Sequence, residues 1–292
     1  MANEIEIANP TRTRAIMETY GLNFKKSLGQ NFLTDINVLH KIVDAAEITL
    51  EDDVIEVGPG IGALTEQLAK RAHQVMALEI DERLIPVLDE TLAPYSNVTV
   101  LQQDVLKADL QKLIAENFDG QHHLKLVANL PYYITTPIIM HLLESPVQLD
   151  AIVVMMQKEV AQRLTAQPKT KDYGSLSIAV QYYTDAEIAF IVPKTVFVPQ
   201  PKIDSAVVKL TSKKPIKQPQ DEQQFMRLVK GSFAHRRKTL WNNLQGIYGK
   251  DAETKAKLEK GLAEVGIAKT IRPEALTISD FIDLANALIE FN

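Results

Sequence analysis

The chain of 292 residues contains no cysteine. That absence removes disulfides, thiolate zinc sites, iron–sulfur clusters and cysteine nucleophiles. No stretch approaches the 18 consecutive apolar residues of a spanning helix, and the amino terminus MANEIEIANPTRTR lacks the apolar core of a secretory signal. A cytoplasmic protein without a membrane partner is expected. Histidine is sparse as well. His122 and His123 precede a strand pattern, His40, His73 and His141 stand alone, and no HExxH spacing occurs, so no metal centre and no histidine chemistry are expected. There is no internal repeat and no low-complexity tract.

What is present is an ordinary globular composition, 46% hydrophobic and 24% charged, enough to bury the core of one large α/β domain and a smaller one. The net charge of −5 conceals an asymmetry. Residues 193–250 hold twelve Lys and Arg against three Asp and Glu, a net of +9, which leaves −14 for the rest. An acidic body joined to a basic segment suits a polyanionic partner better than the whole-chain sum suggests.

Short apolar runs near 53–57, 75–80, 98–103, 124–128 and 151–157 alternate with amphipathic stretches, the pattern of a parallel sheet covered by helices. Two more runs, 186–192 and 206–212, flank the turn-rich stretch Pro193 to Pro201 and predict an antiparallel pair closing the sheet. The segment 212–220, SKKPIKQPQ, reads as a linker. Beyond it only helical periodicity is found, near 221–233, 236–247, 252–265 and 279–290, the last opened by Ser279. Two domains are therefore expected, 1–213 and an all-α unit over 214–292.

DVIEV runs directly into GPGIGALTEQLAK, which places Gly58, Gly60 and Gly62 in a strand-to-helix turn. Glycine there lets the backbone approach a ligand that any Cβ would exclude. Glu79 follows Gly58 by 21 residues at the end of the next apolar run, placed to accept bonds from both hydroxyls of a ribose. Asp104 closes the third run, within reach of an adenine amine. A nucleoside cofactor is implied, although Gly58, Gly60 and Ala63 also satisfy the relaxed dinucleotide fingerprint and leave a nicotinamide enzyme open.

The fourth run, KLVAN, ends in Asn129-Leu130-Pro131-Tyr132. An adenine N6 lone pair is delocalised into its ring. The Asn129 side-chain carbonyl and a backbone carbonyl beside Pro131 can each accept an N–H bond from that amine and aim its lone pair at an activated methyl group. Pro131 fixes φ and removes a competing donor, and Tyr132 offers a face for an extruded base. Alignment of this kind is worth about 7–11 kcal/mol in well-oriented reactions.

In order along the chain stand SLGQNFL at 27–33, EVGPGIGALT at 56–65, Glu79, QDVL at 103–106, NLPY at 129–132, YGSLS at 173–177, FVPQPKIDS at 197–205 and FAHRRKTL at 233–240. With these the sequence resembles the ribosomal RNA adenine dimethyltransferases over nearly its whole length, and within them the bacterial branch acting on the small subunit. The resemblance implies a Rossmann-like class I S-adenosylmethionine methyltransferase sheet with a smaller all-α carboxy-terminal domain, and S-adenosyl-L-methionine converted to S-adenosyl-L-homocysteine. The implied substrate is a pair of adjacent adenosines near the 3′ end of small-subunit (16S) rRNA in a pre-ribosomal particle, bound by a monomer. It also implies that Asn31 and Leu33 fold back over the cofactor, that Gly58, Gly60, Glu79, Asp104 and Asn129 line it, and that Phe197 faces the target base opposite Tyr132. A large-subunit rRNA methyltransferase of the antibiotic-resistance type and a non-catalytic assembly factor share much of this pattern; the RRKTL segment and the long helical tail favour the small-subunit enzyme.

Tyr133, Ala128 and Trp241 depart from the bacterial pattern, and Trp241 either stacks on a base or packs between helices. Arg236, Arg237 and Lys238 are expected at the start of a helix whose Leu240 and Leu244 are buried. With Lys202, Lys209, Lys213, Lys214, Lys217 and Lys230 they form the expected phosphate-contacting set, and Arg12, Arg14, Lys25 and Lys26 form a second patch.

Overall fold

A computed structural model describes residues 6–22 and 31–291. The chain forms two compact units, the first comprising residues 1–161 and 185–212 and the second 162–184 and 213–292.

In the first unit α1 (Pro10–Thr19) is followed by β1 (Phe32–Leu33) and α2 (Ile36–Ala45). Then β2 (Asp52–Val57), α3 (Ala63–Ala69), β3 (Gln74–Glu79), α4 (Ile85–Thr91), β4 (Val98–Gln102), α5 (Leu110–Asn117), β5 (His123–Asn129), α6 (Thr135–Glu144) and β6 (Ala151–Gln157) alternate. The helix α7 (Lys158–Leu164) leads into α8 (Ser175–Tyr183), after which β7 (Thr184–Val192), β8 (Phe197–Val198) and β9 (Ser205–Ser212) return to the first unit.

Seven strands form one sheet in the order β4-β3-β2-β5-β6-β9-β7. The pairs β2·β3, β2·β5, β3·β4 and β5·β6 are parallel, and β9 runs antiparallel to β6. The expected pair 186–192 and 206–212 does lie side by side at one edge, with β9 rather than β7 joining the rest of the sheet. Burial follows position. Every residue of the central β2 is buried, as a parallel strand covered on both faces requires, whereas β7 alternates buried or half-buried with exposed positions along an open edge. The chain winds outward from β2 through β3 to β4, then returns to β5 on the other side of β2. The carboxyl ends of β2 and β5 therefore flank the switch point, where a sheet of this kind opens a crevice. The separate two-stranded ribbon β1·β8 pairs Phe32 with Val198 and Leu33 with Phe197.

The second unit adds α9 (Glu222–Ser232), α10 (Leu240–Tyr248), α11 (Ala252–Glu264) and α12 (Ile278–Ala287) to α8. Its core is built from Phe225, Leu228, Leu244, Leu258, Phe281 and their neighbours, and it includes Tyr173, Ile178 and Tyr182. Residues 162–184 thus belong with the helices, a placement that the single boundary at 213/214 does not include: their apolar face matches α9 rather than the sheet.

Two helix starts differ from expectation. The helix α10 begins at Leu240, capped by Thr239, whose side chain accepts from Asn242 N. Arg236, Arg237 and Lys238 stand in the exposed turn before it. Three cations in the first turn would oppose the helix dipole, and Thr239 is the better cap. The helix α12 is capped by Thr277 in a box with Asp280, not by Ser279. Among the described residues no helix is long and apolar enough to cross a membrane.

Candidate active site

A crevice opens at the carboxyl ends of β2, β3, β4 and β5. The structure brings Asn31, Leu33, Gly58, Gly60, Glu79 and Asp104 to its walls together with the whole tetrapeptide Asn129-Leu130-Pro131-Tyr132. The floor is the turn after β2. Gly58 and Gly60 have φ of +70° and +62°, a region that side chains with a Cβ rarely enter. A Cβ on Gly60 would also stand 3.1 Å from the ring of Phe32, so glycine lets the β1 segment close against the turn.

Glu79 is nearly buried at the end of β3. Its Oε2 accepts from Gly60 N at 3.2 Å and its Oε1 from Asp81 N at 2.8 Å, which leaves each oxygen a further lone pair for a ligand hydroxyl. Burial raises its pKa, and the backbone bonds from Asp81 and Gly60 oppose that rise. Asp104 is partly exposed; its Oδ1 accepts from Leu106 N at 3.1 Å, and Lys107 Nζ stands 3.7 Å from Oδ2.

Glu56, the penultimate residue of β2, is not singled out by the sequence reading. It is buried and lines the same crevice, and among the described residues its Oε2 has no hydrogen-bond partner. Desolvation is the main cause that pushes its pKa up to about 8; the neighbouring Thr65 hydroxyl opposes the rise, and the nearby charge of Glu79 adds to it. The signal in the sequence was an acid inside the otherwise apolar stretch VIEV, where an unpaired charge is costly.

At the far end, Asn129 Nδ2 donates to Asn31 O at 3.4 Å, and among the described residues no donor reaches Asn129 Oδ1. The Pro131 carbonyl is engaged by Thr135 Oγ1 at 3.0 Å and Ile134 N at 3.2 Å. The backbone acceptor left beside Pro131 is therefore the carbonyl of Leu130, whose own N–H donates to Met155 O at 3.3 Å. Tyr132 is held by a 2.7 Å bond between its hydroxyl and Ser205 Oγ, and burial raises its pKa. Phe197 differs from expectation. It is 3% exposed, packs in the hydrophobic core against the β1 segment, and is not among the residues lining the crevice. The aromatic that stands open at the mouth is instead Tyr133, 59% exposed.

The expected cationic residues divide between the units. Lys202 is exposed in the first, and Arg236, Arg237 and Lys238 are exposed in the second. Lys209 and Lys217 are already paired, with Glu47 at 2.8 Å and with Asp283, and so are weaker candidates for phosphate. Lys25 and Lys26 lie outside the described residues. Trp241 is partly buried against the helical core with Lys269 Nζ 4.6 Å from its ring centroid.

Three carboxylates, Glu56, Glu79 and Asp104, line the crevice, and the described lining contains no Lys or Arg. Such a wall disfavours the pyrophosphate of a dinucleotide and suits a nucleoside carrying positive charge. Fold and crevice together define a class I S-adenosylmethionine-dependent methyltransferase. Its neighbours among solved structures include a dimethyladenosine transferase from Plasmodium falciparum, 26% identical with a TM-score of 0.71 over 89% of this chain and 97% of that one. They also include the 23S rRNA methyltransferase ErmE, 27% identical with a TM-score of 0.65 over 88% and 99%. The chain belongs to the ribosomal RNA adenine dimethylase family, which it matches over residues 21–289. It is 70% identical to the ribosomal RNA small subunit methyltransferase A of Ligilactobacillus salivarius, over 99% of each chain, and 61% identical to that of Lactiplantibacillus plantarum, over 99% of this chain and 98% of the other.

Proposed function

We propose that this enzyme transfers methyl groups from S-adenosyl-L-methionine to N6 of two adjacent adenosines near the 3′ end of small-subunit rRNA, two to each base. It acts as a cytoplasmic monomer on a partly assembled subunit. The observation that carries this reading is the acidic crevice ending at Asn129, whose described lining holds no Lys or Arg, in a chain 70% identical to a small subunit methyltransferase. ErmE shares the fold at 27% identity, so the large-subunit substrate is the reading to test against.

The residues fit the cofactor. Glu79 keeps a lone pair on each oxygen for the two ribose hydroxyls, Asp104 stands on the neighbouring strand end for the adenine amine, and the orphaned Glu56 Oε2 is matched by the ammonium of the methionine portion. Asn31 and Leu33, held by the β1·β8 ribbon, cover one side. When bound, S-adenosylmethionine supplies an activated methyl group on a sulfonium.

The protein's task is then alignment. Asn129 Oδ1 and the Leu130 carbonyl accept the two N–H bonds of the target amine and turn its lone pair toward the methyl donor. Tyr132, fixed by Ser205, supplies a stacking face. Tyr133 at the mouth supplies a second one, in the place expected of Phe197. The proton released by the methylated amine goes to solvent through the open mouth. Arg236, Arg237, Lys238 and Lys202 hold rRNA phosphates and position the substrate without reading its sequence, residues 1–161 and 185–212 forming the catalytic domain and the helical unit the RNA-binding domain.

The test is transfer of labelled methyl groups to immature small subunits and, in parallel, to large-subunit rRNA, followed by nucleoside analysis. N6,N6-dimethyladenosine confined to the small subunit is expected. Label in the large-subunit RNA would replace this reading with the resistance-type activity, and binding without label would reduce the chain to an assembly factor. Affinity for the subunit should also fall steeply with salt; a flat response would remove the phosphate contacts.

A further inference from the structure

At the opposite edge of the sheet, where β2, β3 and β5 begin, three residues far apart in the chain converge. Asp53 is the second residue of β2, His73 immediately precedes β3 and His122 immediately precedes β5. The first rungs of the ladder fix them there: His73 N donates to Asp52 O and His123 N to Glu51 O, each at 2.9 Å. The two imidazoles therefore come from the starts of the strands on either side of β2 and each turns Nδ1 toward one carboxylate. His73 Nδ1 is 2.9 Å from Asp53 Oδ1, and His122 Nδ1 is 4.0 Å from Asp53 Oδ2 and 3.1 Å from Asp119 Oδ1. The rings stack with centroids 3.7 Å apart and planes 12° from parallel.

The geometry points to a divalent-metal site, with Zn²⁺ the best-suited ion, held by Asp53, His73 and His122 and completed by Asp119 or water. One ligand atom from each of the three residues lies within 4.8 Å of the others. Zinc bonds of about 2.0–2.1 Å in a tetrahedron place ligand atoms about 3.3 Å apart, between the observed 2.9 Å and 4.0 Å. The donors are two nitrogens and carboxylate oxygens, the set that zinc shares with other late first-row ions, and without cysteine there is no softer competitor.

Charge favours a cation as well. Asp53 is 1% exposed, and among the described residues no Lys or Arg pairs with it. Among the described residues its side-chain partners are the two imidazoles. Asp119, whose Oδ1 lies 3.1 Å from His122 Nδ1 and accepts from Gln121 N at 2.9 Å, brings a second carboxylate to the cluster. Metal binding replaces the present Nδ1 hydrogen bonds, with each ring proton carried on Nε2 instead. It also requires the stacked rings to tilt so that both Nδ1 atoms converge on one point. His73 and His122 are 36% and 19% exposed and lie outside the strands, so that rotation is open to them. The ion would staple the starts of three adjacent strands, remote from the crevice at their other ends.

The test uses the untagged full chain with Zn²⁺ or Co²⁺ alone and does not depend on methyl transfer. One equivalent should bind at micromolar concentration or tighter, Co²⁺ should show the intense visible bands of a four-coordinate ion, and the melting temperature should rise with metal. His73→Ala and His122→Ala should each weaken binding by at least the roughly 10–100-fold that loss of even an outer-shell partner costs, while cofactor affinity stays unchanged. Because Asp53 is buried and Asp53→Asn can misfold, the partly exposed His122 is the deciding position. Binding that survives the double variant H73A/H122A unchanged, or a Co²⁺ spectrum of the hydrated ion with no thermal shift, would overturn the site and leave a hydrogen-bonded histidine pair.

Discussion

The two ends of strand β2 bury carboxylates in opposite ways. At the start, Asp52 meets Lys125 Nζ at 2.9 Å and accepts from Thr49 N at 2.7 Å, while Asp53 meets His73. At the other end Glu56 is as deeply buried but keeps an unpartnered oxygen facing the crevice, and its pKa is pushed up to about 8. A buried acid with partners stabilises the fold; one left without them stores a cost that a charged ligand can relieve. The contrast separates structural from functional charge without any ligand in view.

The largest effect expected from this contrast is on the pH dependence of stability. The folded pKa of Glu56 is raised from 4.5 to about 8. Its contribution to stability is therefore fully present below about pH 4.5 and is lost as pH rises through about 8, a swing of about 4–5 kcal/mol. Urea unfolding of Glu56→Gln should show that slope largely removed, and a slope identical to that of the wild type would mean that Glu56 is paired in solution. Between pH 6 and 7.5, where an α-amine stays charged, S-adenosylmethionine should bind more tightly to the wild type as pH rises and with little pH dependence to the variant.

Next in size is Asn129→Ala. Loss of one preorganised acceptor should lower the methyl-transfer rate by about 10²–10³-fold with subunit binding nearly intact, checked by single-turnover label transfer beside a pull-down on subunits. Loss of binding in step with activity would contradict its assignment to the amine.

At the opposite end, Asp52→Asn should destabilise the fold by about 2–3 kcal/mol, less than a fully buried pair because Lys125 reaches solvent, and should leave cofactor affinity unchanged. A matching fall in cofactor affinity would break the separation between the two ends. The smallest effect is expected for Tyr133→Ala. Loss of a stacking face worth about 1–2 kcal/mol should appear in KM for the RNA rather than in kcat, and Tyr133→Phe should restore it.

Much of the crevice was legible because its residues sit next to the strand ends that hold them. Gly58, Gly60, Glu79, Asp104 and the Asn129–Tyr132 tetrapeptide each follow an apolar run, and a parallel sheet places all such ends on one side. The burial of Phe197 is not legible in the sequence because its direction depends on a two-residue ribbon with Phe32 and Leu33, more than 160 residues earlier. Apolar periodicity extends the helix over Arg236 to Lys238, whereas the cap at Thr239 starts it at Leu240. Residues 162–184 carry an apolar face whose partner lies in α9, which local pattern cannot reveal.

The sequence by itself determined the alternation of strands and helices, the glycine turn and the acceptors at the strand ends, since these follow from periodicity and from residues adjacent in the chain. Only the tertiary structure decided which buried acids are paired, that His73 and His122 meet across Asp53, and that Tyr133 rather than Phe197 faces outward. Those outcomes depend on the order in which strands line up, and that order is set by packing between segments from 20 to more than 160 residues apart.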